Sequence, residues 1–88
     1  MSDGGAHMYK NKAENGRNNL AGVNIALLRK NMIPRTSQRA LAEKMQLEGL
    51  ELDKNAIQRI EAGQRFITDI ELKAFAKVFG VSSDSLLS

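Results

Sequence analysis

SQRALAEKMQLEGLELDKNAIQRIEAG, Ser37 to Gly63, is the stretch on which the fold turns. It reads as two short helices joined by a connection. Ser37 is a natural N-cap for a helix over Gln38–Gln46. In that helix Leu41, Ala42 and Met45 fall on one inward face, and Arg39, Glu43 and Lys44 stay in water. Asp53 caps the next helix, and Gly63 stands where a left-handed C-terminal residue belongs. At about 100° per residue, Ile57, Ile60 and Glu61 cluster on one side of it, while Asn55, Arg59 and Ala62 point the opposite way. Lys54 and Gln58 lie on the flank. Between the two helices, Gln46 to Leu52 holds one glycine and three leucines, so it reads as a partly packed connection.

Outward from this stretch the chain continues as helices. A first helix is expected over about Leu20–Met32, capped by Asn18 or Asn19. Its buried stripe is read from Leu20, Val23 and Leu27 together with Ile25, Leu28 and Met32. Ile33-Pro34 ends it, because proline disfavours helix in the residue before it. Thr68-Asp69-Ile70-Glu71 is a capping box opening a fourth helix over Asp69–Phe79, with Ile70, Leu72, Phe75, Ala76 and Phe79 on its core face. Gly80 stops that helix, and Ser82 caps a last short one through Leu87. The reading is a compact all-α, five-helix domain over residues 19–88. Residues 1–18, rich in glycine and asparagine, read as a disordered tail, with Met8 as a second candidate start and Lys10, Lys12 and Arg17 as a basic arm for DNA phosphates.

Composition narrows the functions. The chain has 88 residues, 42% of them hydrophobic, with three Phe, one Tyr and no Trp, so the core comes from aliphatic side chains. There is no cysteine and one histidine, His7, in the tail. Disulfides, thiolate metal sites and a Cys or His catalytic centre are therefore not expected. Ser82, Ser83 and Ser85 read as caps, and the carboxylates do not converge, so the chain does not read as an enzyme. No apolar run has bilayer length and no signal peptide is visible, which points to the cytoplasm. A net charge of +3 with a pI of about 9.5 permits nucleic-acid binding without requiring it.

The outer face of the third helix carries side chains of the types that read base edges: Asn for adenine, Gln likewise, Arg for guanine. Lys54, Asn55, Gln58 and Arg59 are the candidate base contacts. Ser37 and Gln38 at the start of the second helix, and Gln64 and Arg65 past Gly63, are candidate phosphate contacts bracketing them. An ordinary solvated helix face would show the same residue types, and capping alone would account for Ser37. Glu61 lies beside buried isoleucines and needs a partner; Arg29 on the first helix is the candidate for a structural ion pair.

The ordered set of these residues resembles the helix-turn-helix family of the lambda-repressor and Cro type, also called Xre. The set comprises Ile25 and Leu28-Arg29; Ser37-Gln38 with Leu41-Ala42-Glu43-Lys44-Met45; Ile57 and Ile60-Glu61-Ala62-Gly63; Leu72, Ala76, Phe79-Gly80-Val81 and Leu86-Leu87. The resemblance implies a sequence-specific DNA-binding domain, usually a dimeric transcriptional regulator. With the residues above, the reading is a repressor acting as a homodimer on double-stranded operator DNA, with no cofactor, metal or small-molecule ligand expected. By position, Gln38 is similar to the family's phosphate contact, Lys54, Asn55 and Arg59 to its base-facing positions, and Arg29–Glu61 to its structural ion pair. The chain departs from the family in the length of Gln46–Leu52, where it resembles a long-turn subset; Glu48 and Glu51 are expected to face away from DNA. The rival reading is a protein-interaction module, with Phe66 and Ile67, or Leu86 and Leu87, as its contact surface.

Overall fold

The computed structural model describes Met8–Tyr9 and residues 16–88. Five helices follow one another: α1 (Gly22–Lys30), α2 (Gln38–Leu47), α3 (Lys54–Glu61), α4 (Asp69–Phe79) and α5 (Ser83–Leu87). Beside them is a two-residue antiparallel ladder of β1 (Met8–Tyr9) with β2 (Ile67–Thr68), in which Met8 faces Thr68 and Tyr9 faces Ile67. The expected five-helix, all-α domain is the fold.

Local side-chain chemistry sets most helix starts. Ser37 accepts from the Ala40 amide at 3.0 Å, and Asp53 from the Ala56 amide at 2.8 Å. Thr68 and Glu71 form the reciprocal capping box, at 3.1 and 3.0 Å. Ser82 accepts from the Ser85 amide. Each bond satisfies an amide that the first turn leaves without a partner. Gly80 ends α4 in the left-handed conformation, at φ 71°.

One core joins all five helices, with Ile25, Leu41, Met45, Ile57, Ile60, Ile67, Phe75 and Leu86 fully buried. Phe75 stacks on Phe79, with ring centres 6.4 Å apart. The Asn24 side chain ties α1 to the end of α5, donating to the carbonyls of Leu86 and Ser88 at 2.9 and 3.0 Å.

Several expectations are corrected. α1 is shorter than expected: of the expected stripe only Ile25 and Leu28 turn inward within it, and Met32 lies beyond its end at Lys30. Leu20, Val23 and Leu27 are 53, 48 and 53% exposed. The reason is close approach: Gly22 lies against the Ile60 carbonyl, where an added Cβ would overlap that oxygen. With α1 pressed down at Gly22, the opposite row must face out. Ile70, 66% exposed, also leaves the expected core face, because it sits across α4 from Phe75 and Phe79. Ile67 and Leu86 are buried, so neither is available as a contact surface. The tail reading mostly lies outside the described residues, Lys10 and Lys12 included. Within them, Met8–Tyr9 pairs with β2, Arg17 bonds to the last residues of α3, and Asn18 bonds to the segment after it.

The long connection is built as expected. Gly49 adopts φ +88°, and the amides of Glu48 and Leu50 return to the Met45 carbonyl. Leu52 is buried, and Leu50 packs against the core. Glu48 pairs with Lys77 of α4 at 3.0 Å, while Glu51 is exposed.

Candidate nucleic-acid interface

α3 is anchored on one face and bare on the other. Ala56, Ile57 and Ile60 are buried, whereas Lys54, Asn55, Gln58, Arg59 and Ala62 are exposed. The burial follows from the apolar spacing of the helix. The exposed set forms a continuous polar face, with a cation at either end and two amides between.

Beside the N-terminus of α3 lies an open groove of about 830 Å³. Arg35, Ser37, Gln38 and Arg39 from the start of α2 and Lys54 from α3 line it, with Arg29 behind them. Arg35, Arg39 and Lys54 are exposed, so the groove is strongly cationic. It opens onto the first turn of α2, whose free amides add a partial positive charge. Sequence reasoning placed Ser37, Gln38 and Lys54 here but missed Arg35 and Arg39. The available signal was their position within three residues of the Ser37 cap.

Glu61 sits at the junction of three helices. Arg29 grips it at two points, Nε to Oε2 at 2.7 Å and Nη2 to Oε1 at 2.9 Å. The side chains of the pair are only 12 and 9% exposed. Gln38 donates its amide to the same Oε1 at 2.9 Å, and Arg29 Nη1 reaches the Thr36 carbonyl at 3.2 Å. The hydrogen bond to Glu61 raises the Arg29 pKa against the effect of burial, so the guanidinium stays charged. Gln38 is therefore oriented by Glu61, with its second amide hydrogen and its carbonyl still available.

Arg65 is placed differently from the reading of it as a phosphate contact. Its guanidinium grips Glu71 at 2.9 and 3.0 Å and also donates to the Phe66 carbonyl at 3.0 Å. Burial alone would push the Glu71 carboxyl up; Arg65 and the Thr68 backbone outweigh it and hold the carboxyl below its ordinary value. Arg65 thus clamps the loop after α3 to the start of α4, and a phosphate would have to compete with that pair. Gln64 is exposed at the far end of α3.

Among the described residues no group of His, Cys, Asp or Glu is placed to hold a metal ion. No described helix is long and apolar enough to cross a membrane.

Two capped helices, the second presenting a polar face beside a cationic groove, form a helix-turn-helix unit. The helix-turn-helix family model matches residues 35–86, more than half of the chain, and the chain belongs to that family, of the Xre and lambda-repressor type. The family is one of DNA-binding regulators. No curated protein and no solved structure matches the chain significantly.

Proposed function

We propose that this chain is a sequence-specific regulator of double-stranded DNA, a repressor that acts in the cytoplasm as a homodimer. α3 enters the major groove, and Lys54, Asn55, Gln58 and Arg59 meet base edges. Ser37, Gln38 and the α2 amides hold one phosphate strand, joined by Arg35 and Arg39, and Gln64 reaches the other side. Arg65 is left to its pair with Glu71. A second copy occupies a half-site about 34 Å away, and repression follows by occlusion of the site.

The observation that carries this reading is the adjacency of the bare polar face of α3 to the cationic groove at the start of α2. Base readers and backbone holders then lie side by side, as docking to a duplex requires. The test is selection from a pool of random duplexes with the purified protein, followed by titration of the enriched duplex at several salt concentrations. An enriched palindrome whose binding weakens steeply with salt supports a dimeric reader. Equal, weak binding to every sequence overturns the reading.

A further inference from the structure

Three residues ahead of α1 reach across the molecule to the carboxyl end of α3. Arg17 Nη2 donates to the Glu61 carbonyl at 2.7 Å and approaches the Ile60 carbonyl at 3.4 Å. The Asn18 amide donates to the Gly63 carbonyl at 2.8 Å, and its side chain to the Gln64 carbonyl at 3.1 Å. Asn19, fully buried, donates to the carbonyls of Ile60 and Arg65 at 3.0 and 2.7 Å. Its Oδ1 accepts from the Gly22 amide at 2.7 Å, so the same side chain starts α1.

A helix ends with carbonyls that have no partner within it, and a cation there is favoured by the helix dipole. In α3 the Ile60 and Glu61 carbonyls, and beyond the helix those of Gly63, Gln64 and Arg65, accept from this segment. α3 is eight residues long, too short to hold its own course, so its direction is set by what grips its ends. Asp53 grips the amino end. The other grip is Arg17–Asn18–Asn19, and Gly22 and Gly63 leave room for it; a Cβ on either would meet Arg17 atoms within 3 Å.

We propose that Arg17 and Asn19 are positioning residues for DNA reading: they fix the direction of α3 and the place of Gln64 without touching DNA themselves. The proposal rests on α3 being the reading helix. It assigns Arg17 a role other than phosphate binding, because its guanidinium is turned onto the helix end. A displaced α3 spoils base contacts and leaves the backbone contacts of α2 in place. The signature is therefore lost discrimination with an unchanged salt slope.

The test compares the full chain with Arg17→Ala, Arg17→Lys and Asn19→Ala, each at a temperature where circular dichroism shows it fully folded. Binding is measured to the duplex enriched from the random pool and to a scrambled duplex, over a range of salt. Amide hydrogen exchange is followed at Ala62, Gly63 and Gln64. In Arg17→Ala and Asn19→Ala the preference for the enriched duplex should fall by about tenfold, the effect of one imperfect base contact. Scrambled-duplex binding and the salt slope should stay as in wild type, exchange should quicken at the three amides, and Arg17→Lys should recover part of the preference.

An Arg17→Ala protein with wild-type preference overturns the proposal. So does one whose salt slope falls by about 1 with preference intact, since that marks a phosphate contact. If Asn19→Ala does not fold, Arg17→Ala decides, because the Arg17 side chain lies outside the core. A wild-type protein without sequence preference overturns this inference together with the functional reading, whereas selective wild type and equally selective variants overturn this inference alone.

Discussion

Gln38, the first residue of α2, donates to Glu61, the last residue of α3, at 2.9 Å. The oxygen that accepts it is also held by Arg29 of α1. One carboxylate therefore fixes where α2 begins relative to where α3 ends. Such a nearly buried carboxylate is tolerable only because both its oxygens are occupied by donors.

Removing that carboxylate should be costly. Glu61→Ala leaves the Arg29 charge buried without a counter-charge and frees Gln38. A loss of about 3 kcal/mol is expected, seen as a lower urea midpoint with an unchanged denaturant slope. A change below about 0.5 kcal/mol would mean that the pair is no more than a surface ion pair.

Two glycines should respond differently to the same substitution. Gly22→Ala drives a methyl group into the Ile60 carbonyl and must push α1 off α3. A cost of about 2 kcal/mol or more is expected. Gly49 has open space around its Cβ position but a φ of +88°. Gly49→Ala should cost about 1 kcal/mol, the backbone penalty alone. Thermal unfolding of the two variants side by side checks the order.

On α1, Ile25 keeps the buried place that spacing gives it, and Leu27 does not. Ile25→Ala should destabilise by about 3 kcal/mol through an unfilled cavity. Leu27→Ala should change stability by less than about 0.5 kcal/mol, apart from the change in helix propensity. Urea titrations of the two variants separate the buried row from the exposed one.

DNA contacts should divide into two kinds. Arg59→Ala should cost about 1–3 kcal/mol on the best duplex and relax its sequence preference. Arg39→Ala should weaken binding to all duplexes alike and lower the salt slope by about 1. Fluorescence anisotropy on matched and scrambled duplexes reads both.

Acid should loosen the clamp after α3. The Glu71 carboxyl titrates below its ordinary value in the fold. Its contribution to stability is therefore complete above about pH 4.3, the unfolded glutamate value, and is lost as pH falls through the lower folded value. Glu71→Gln should flatten the fall in stability on the acid side of that window. Denaturation at a series of pH values measures it; identical acid profiles in the two proteins would count against the clamp.

What the sequence made legible was mostly local. Ser37, Asp53, Ser82 and the Thr68–Glu71 box act on amides a few residues away, so spacing alone located four helix starts. The two faces of α3 followed from the placing of Ile57 and Ile60. Arg29 and Glu61, although far apart in the chain, were paired because a charge beside buried isoleucines demands a partner. The misreadings arose where tertiary contacts choose. α1 has apolar rows on opposite sides, and only the approach of Gly22 to Ile60 decides between them. Arg65 pairs with Glu71, a partner that its place past Gly63 does not announce. Arg17 was read with the tail because its partner at Glu61 lies 44 residues further on.

The seven residues between Met45 and Asp53 are fastened at several points: the return of Leu50 to Met45, the burial of Leu52 and the Glu48–Lys77 pair. With its ends pinned, the segment between the helices behaves as a spacer whose length is separable from the angle it spans. Closure entropy makes further length cheap, about 0.6 kcal/mol for each doubling of a flexible loop. Gly49, exposed and with open space around it, is the natural splice point. This bend is where the architecture can be engineered to carry an inserted peptide while α3 keeps its bearing.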